Sequence, residues 1–474
     1  MSNKFYEKFE KKTSPKEPKK NLKNFSSQKN NDKPHSRTSF NKNSLNKAES
    51  NHKDKYQSNS KNSFHNHETL NKYQEKYTKN QTLFTKNNLT KESVNIIQNF
   101  DEIVQSVRPL NSRQLQQLPE HIKELSHQLT DKRYERRLGY MNDNIQLSSY
   151  VRYYTWWNLV RLTRLFSNLP SDAFPQKDGI CIDLGTGPFT VINALWLARP
   201  ELRNLKLTWY CLDVSSNSMV FGEDLYLSIA ARTPNTTPWN IIRVKGSFGT
   251  SIKQKADFIT CANMFNELDQ ASNMPPEFQS KKYFEQLNIY GKHDCKYLLV
   301  EPGIPKATRT ITLLRERFIN AGKEIIAPCP HFNDCPMNGF KAYTGSQNKW
   351  CNFAFSTIDA PAKLLKLSEM AKLPKERATL IFISVSNKEN EDKSSKKDSL
   401  LQCRIISDGF RLPENKTGYY VCTKYGLTLI TTKENIHHET CTLLSSGDLI
   451  QVKTKTPDSH SPRDEKSGAL IINL

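Results

Sequence analysis

Two groups of residues in this chain have types and spacings suited to chemistry. In the first, Cys181-Ile182-Asp183-Leu184-Gly185-Thr186-Gly187-Pro188, an apolar run ends in an acid and two glycines. Glycine lets backbone pass close to a ligand, and a helical pattern starts just beyond, so free amides would face the same point. Thirty residues after Asp183 a second apolar run ends at Asp213. A carboxylate in that place can accept both hydroxyls of a ribose. Thr190 stands where a dinucleotide fingerprint needs its third glycine, so G-x-G-x-x-G is not met. The second group is rich in thiols. Pro328-Cys329-Pro330-His331, Cys335-Pro336 and Trp350-Cys351-Asn352-Phe353 place three cysteines within 23 residues, at C-x5-C and C-x15-C spacings. These are not the paired C-x2-C knuckles of structural zinc. Three near thiolates and a distant fourth suit an iron–sulfur cluster, which needs four cysteines or near equivalents. Spacing leaves the fourth ligand open among Cys403, Cys422, Cys441 and His331.

Holding these residues in place takes a layered fold. Apolar runs at Ile180–Leu184, Leu207–Leu212, Ile241–Val244, Phe258–Cys261 and Tyr297–Val300 alternate with helical patterns. That alternation predicts an α/β protein with a parallel, doubly wound sheet. Another strand, Thr379–Val385, follows the Cys-bearing excursion. Ligands of such sheets bind beyond the carboxyl ends of the strands. The loop Cys261-Ala262-Asn263-Met264-Phe265-Asn266-Glu267-Leu268 should therefore face the glycine turn, with Asn266 and Glu267 as its polar candidates and Cys261 as buried filler. D-x-G-x-G with an acid after the second strand is the pattern of class I S-adenosylmethionine (SAM) methyltransferases. SAM is accordingly the expected ligand of Asp183, Gly185, Thr186, Gly187, Pro188, Asp213, Asn266 and Glu267. The loop is neither the N/D-P-P-Y loop of amino methylases nor a Pro-Cys loop, and no catalytic residue is assigned.

The flanks differ sharply in composition. The chain has 474 residues and a net charge of +21, of which residues 1–90 carry +12. Rich in Lys, Asn and Ser, residues 1–92 read as a disordered basic tail, either an arm for polyphosphate or a solvated spacer. Arg37 is the only arginine among the first 90 residues, and eight acids interrupt them, which argues against a transit peptide. Met1–Lys20 has no apolar core for an export signal, and no run approaches the roughly 18 apolar residues of a membrane span. Without export, ten cysteines do not read as a disulfide framework. Residues 93–170 form a helical region. In it Leu115, Leu118, Ile122, Leu125 and Leu129 make one stripe, with Pro119 as the expected helix start. Between Leu147 and Phe166, Tyr150, Arg152, Tyr153, Tyr154, Trp156, Trp157, Arg161 and Arg164 interleave. That mixture suits either single-stranded RNA, through phosphate contacts and stacking, or a helical layer packed on the next domain. Residues 171–387 form the SAM-binding domain, with the Cys-rich loop at 327–353. A basic helix (Lys306, Arg309, Arg315, Arg317) follows Glu301-Pro302-Gly303. A charged linker spans 388–400, and a small β domain fills 401–474, with runs at Gly418–Cys422, Leu427–Thr431 and Leu449–Val452.

D-L-G-T-G-P, N-E-L, V-E-P-G, P-C-P-H-x3-C-P and W-C-N-F occur in that order. In this the chain resembles the mitochondrial and bacterial small-ribosomal-subunit methyltransferase-like family over roughly Arg133–Val452. The resemblance implies a Rossmann-like class I methyltransferase domain, a bound [4Fe-4S] cluster, and association with small-subunit rRNA and its assembly intermediates in ribosome biogenesis and translation. The family's fourth cysteine lies in a β-rich segment matching Tyr420-Val421-Cys422-Thr423, so the implied ligands are Cys329, Cys335, Cys351 and Cys422. Asn352 departs from the His common at that place. The expected protein is a SAM-dependent rRNA methyltransferase, free as a monomer, without membrane attachment, and cytoplasmic or, alternatively, in the mitochondrial matrix. A non-catalytic rRNA-binding assembly factor with the same fold is the alternative reading, and a small-molecule methyltransferase a third, against which the basic charge argues.

Overall fold

The computed structural model describes residues 77–130, 140–234, 236–268, 274–340, 349–387, 400–433 and 444–474. Residues 1–76, Cys441 and residues 388–399 of the expected linker lie outside them. Inside the expected tail, Tyr77–Gln81 forms strand β1, and helix α1 (Lys91–Gln98) already begins at 91, so the boundary at 92 is corrected. The polar run YTKNQ has little strand pattern of its own. Its tertiary pairing supplies what local sequence does not.

Helix α2 (Phe100–Val107) follows α1, and then α3 (Ser112–Leu129). Pro119 does not start α3, as expected, but lies inside it. The physical reason is a capping box: Asn111 accepts from the Gln114 amide at 2.9 Å while Gln114 accepts from the Asn111 amide at 3.0 Å. Two turns of exposed helix are thereby stabilised ahead of the proline, and Leu115 at their edge is exposed rather than buried. Helix α4 (Asn144–Ser149) runs through a π-helical stretch, Tyr150–Thr155, into α5 (Trp156–Asn168).

This Arg- and aromatic-rich stretch is a packing layer, which settles the choice between its two readings. Trp156 and Trp157 are buried, and their indole N–H groups donate to Ile97 O at 2.8 Å and Ser368 Oγ at 3.1 Å. Arg152 is buried and donates to Arg108 O, while Arg164 pairs with Asp359 at 2.6 Å. Side chains so engaged do not stack on bases.

The main sheet starts with β2 (Gly179–Leu184), followed by α6 (Thr190–Ala198), β3 (Leu207–Asp213), α7 (Ser216–Ala230), β4 (Asn240–Lys245) and β5 (Ala256–Ala262). Next come the short helix α8 (Phe265–Leu268), α9 (Pro276–Tyr290), β6 (Gly291–Glu301), α10 (Pro305–Asn320) and β7 (Lys323–Ala327). The domain closes with β8 (Phe353–Ser356), α11 (Ala362–Met370) and β9 (Arg377–Asn387). Strand order is β4-β3-β2-β5-β6-β9-β7, with β8 beside β9. β2 to β6 are parallel, as the doubly wound reading expects, and β9 runs antiparallel between β6 and β7. β7 escapes the sequence pattern because only Ile325 and Ala327 of its residues are buried.

The second sheet comprises β10 (Leu400–Ile405), β11 (Phe410–Arg411), β12 (Thr417–Thr423), β13 (Gly426–Thr432), β14 (Leu449–Lys453) and β15 (Leu470–Asn473). Its order is β1-β14-β10-β12-β13-β15, with β11 off β12, and Leu400 belongs to a strand rather than to the linker. It has its own small core, including Cys403, Val421 and Ile450. Ile406 and Cys422, however, belong to the main core, and Ala354 N donates to Ser446 Oγ at 3.2 Å. The two sheets therefore share more surface than the sequence shows.

Candidate functional site

The carboxyl ends of β2 to β5 enclose a cavity of about 200 Å³. At its floor the chain leaves β2 through Gly185 and Gly187, with φ of +64° and +51°. Both values favour glycine. A Cβ at Gly185 would lie 2.9 Å from Met264, whereas one at Gly187 would meet only Ser218 Oγ, at 3.8 Å. The amides of Gly185 and Thr186 donate to Leu212 O, and that of Gly187 donates to Asp213 Oδ2 at 2.9 Å. Ser215 N donates to the other Asp213 oxygen at 2.8 Å. Asp213 thus ties the two loops together, and burial raises its pKa. A carboxylate oxygen accepts more than one hydrogen bond, so Asp213 keeps acceptor capacity toward the cavity it lines.

Of the eight residues expected to contact SAM, Gly185, Thr186, Gly187, Pro188, Asp213 and Glu267 line the cavity. Asp183 and Asn266 are not among its lining residues. Asp183 lies beneath the floor, fully buried, where Thr260 Oγ1 donates to Oδ1 at 2.7 Å. Burial, with repulsion from Asp213 added, raises its pKa to about 7. Asn266 is buried too; its amide and that of Phe265 donate to the two oxygens of buried Glu301, at 3.1 and 2.9 Å. Glu301 of the E-P-G turn therefore anchors the start of α8.

The sequence reading missed several lining residues. Gly246, Ser247 and Phe248 follow β4, and the rule that placed the glycine turn at a carboxyl strand end would have found them. Met141, Tyr150 and Asn158 come from the helical layer, and no local signal marks them. Arg161 joins that layer to the sheet: it donates to Asn158 Oδ1 at 2.7 Å, Asn263 Oδ1 at 3.0 Å and Thr379 O at 2.9 Å. Cys261 is buried, and burial first of all raises its pKa well above the ordinary thiol value, which suits filler rather than a nucleophile.

The second candidate centre lies where the loop after β7 meets the second sheet. Burial pushes the Cys335 thiol up to about 12 and raises those of Cys351 and Cys422. The next cause is each other: Cys351 feels Cys335, Cys422 and Cys329, and Cys422 feels Cys329 and Cys335. The four thiols therefore lie within electrostatic reach of one another. Cys403 is raised by burial alone and sits in the core of the second sheet. Among the described residues no group of three or more His, Cys, Asp or Glu side chains is spaced for one metal ion. A four-iron cluster is wider than an ion, so its thiolates stand further apart, and the donor set of four cysteines fits it. His331 Nε2 lies 3.1 Å from Cys422 Sγ, and Arg315 Nε donates to Cys329 Sγ at 3.2 Å. The expected basic helix is thus no free cationic face. Arg315 is buried, Arg309 pairs with Glu277 at 3.0 Å, and Arg317 donates to Glu277 O at 2.8 Å.

Counted from β2 and leaving β8 aside, the sheet reads 3-2-1-4-5-7-6 with the seventh strand reversed, and the cavity lies beyond its first glycine turn. That is the class I methyltransferase fold. The family model of the mitochondrial small ribosomal subunit protein Rsm22 matches residues 175–449, more than half of the chain, and the chain belongs to that family. No curated protein matches it significantly. Solved structures similar to it include a ribosomal protein L11 methylase from Lactobacillus delbrueckii subsp. bulgaricus, with 15% identity over 49% of this chain and 79% of that one, at a TM-score of 0.26. A SAM-dependent methyltransferase from Geobacter sulfurreducens in complex with S-adenosyl-L-homocysteine has 10% identity, over 55% and 97%, at 0.27. One from Thiobacillus denitrificans, with the same ligand, has 12% identity over 49% and 91%, at 0.28.

Proposed function

We propose that this protein binds SAM in the cavity beyond β2 to β5, holds a [4Fe-4S] cluster on Cys329, Cys335, Cys351 and Cys422, and acts as a methyltransferase on small-subunit rRNA during ribosome assembly. The observation that carries the reading is the pair of left-handed glycines beside Asp213 at the mouth of the sheet. Bound there, SAM supplies an electrophilic methyl group. Gly185 and Gly187 would give the close backbone approach, Asp213 would accept from the ribose hydroxyls, and Glu267 lines the same cavity. Cys329, Cys335, Cys351 and Cys422, drawn from the loop and from β12, would fasten the second sheet to the first. Membership of a mitochondrial ribosomal family favours the matrix, the alternative location, over the cytoplasm.

Gly187→Arg tests the donor site: a Cβ there meets only Ser218 Oγ, at 3.8 Å, and circular dichroism of the variant controls for the strain of a non-glycine residue at φ +51°. Calorimetry should show SAM binding by the native protein and none by the variant; unchanged affinity would sink the assignment. Labelled SAM incubated with small-subunit precursors, followed by mapping of the rRNA, tests the reaction. One labelled nucleotide is expected. Binding of SAM and of the precursors without transfer would select the non-catalytic assembly factor instead.

A further inference from the structure

Two buried arginines lie beside these thiols, one on α10 and one on β10. Arg315 of α10 is 2% exposed; besides Cys329 Sγ it donates to His331 O at 2.7 Å and Asn333 O at 2.9 Å. Arg404 of β10 is 3% exposed and donates to Pro328 O at 2.7 Å, Gly447 O at 2.8 Å and Gln81 Oε1 at 3.0 Å. None of these partners carries a negative charge, and the half-buried Glu316 beside Arg315 is shared with Arg317. Asp448, within electrostatic reach of Arg404, is ion-paired with Lys79 at 2.7 Å. An arginine cannot shed its proton in a protein, and a buried charge without a counter-charge is strongly destabilising. Two such cations beside four neutral thiols make no electrostatic sense. Beside four thiolates they do.

We infer that Arg315 and Arg404 are the built-in counter-charges of the cluster site, and that they set the cluster's reduction potential. The inference rests on the cluster reading above. Four thiolates around an oxidised cubane core leave a net charge of about −2, which two guanidinium groups balance. One-electron reduction adds a further negative charge to the same buried volume, and nearby cations favour that more charged state. Each arginine therefore draws the potential upward. Arg315 acts at closest range, through its N–H on Cys329 Sγ. Arg404 acts from the second sheet, within electrostatic reach of Cys329, Cys351 and Cys422.

The test uses the full chain, loaded anaerobically with ferrous iron and sulfide, and reads the potential by optical and EPR titration. Arg315→Gln and Arg404→Gln should each hold iron but disfavour reduction about tenfold at a given potential, which for one electron is a downward shift of about 59 mV. Arg315→Lys and Arg404→Lys, which keep the charge, should stay near the native value. Native protein that takes up no cluster overturns the cluster reading and this inference together. A cluster whose potential is the same in both glutamine variants leaves the cluster reading standing and overturns only the role of the arginines. If the glutamine variants fail to load, the lysine variants decide: a native-like potential supports charge compensation, and loss of iron from them as well shows a purely structural role and overturns it.

Discussion

Asp183 lies at the end of the first strand of the main sheet, where sequence motif and burial pull in different directions. The motif reading made it a ligand contact, yet its carboxyl is sealed under the glycine turn. A carboxyl whose folded pKa is raised to about 7 holds its proton in the native state where the unfolded chain has already lost it. Stability from this group is therefore fully present below its unfolded pKa near 4 and is lost as pH rises through about 7. Urea unfolding of the native protein should show the midpoint falling between about pH 4 and pH 7, and Asp183→Asn should flatten that fall, by on the order of a few kcal/mol. An equally steep fall in the variant would place the pH dependence elsewhere.

Among the elements, the joined helices from Asn144 to Asn168 form the back wall of the cavity as well as part of the core. Trp156 alone shows how much depends on them. It is 1% exposed, its ring lies 6.0 Å from that of Phe100, and its N–H is bonded to α1. Trp156→Ala should cost about 3–5 kcal/mol in chemical denaturation. Were this face an RNA platform instead, the variant would keep its stability and lose RNA binding. The thiol loop makes a parallel contrast between strands. Cys422 on β12 belongs with the main core and Cys403 on β10 with the small one. Anaerobic Cys422→Ser should lose its iron and free the second sheet to proteolysis, whereas Cys403→Ser should keep both iron and resistance. Full iron retention by Cys422→Ser would rule out the ligand choice.

For the molecule as a whole, charge and chain path set the terms of the proposed rRNA binding. Neutralising several phosphates makes log K fall nearly linearly with log salt, by about 0.7–0.9 per contact. A truncation at 90 would remove β1 and with it the edge pairing of Tyr77 to Val452, so the tail is tested by removing residues 1–76. That truncation should flatten the salt slope of rRNA binding and leave a preference for structured small-subunit rRNA. Loss of the preference would place recognition in the tail.

By itself the sequence determined the five parallel strands, the glycine turn with its acid, and the loop in which three cysteines crowd together. Each is a local signal: an apolar run long enough to bury, a glycine pair only a tight turn needs, thiols at short spacing. It also kept open two readings of the Arg- and aromatic-rich helices, since periodicity shows which residues share a face but not what covers it. Only the tertiary structure decided that those faces are buried, that Tyr77–Gln81 becomes a strand by pairing with Leu449–Lys453, and that β9 inserts antiparallel between β6 and β7. It alone brought Arg315 and Arg404, 89 positions apart in the chain, within electrostatic reach of the same thiol, Cys422. Counter-charge, like burial, belongs to the packed neighbourhood of a residue, and sequence spacing does not carry it.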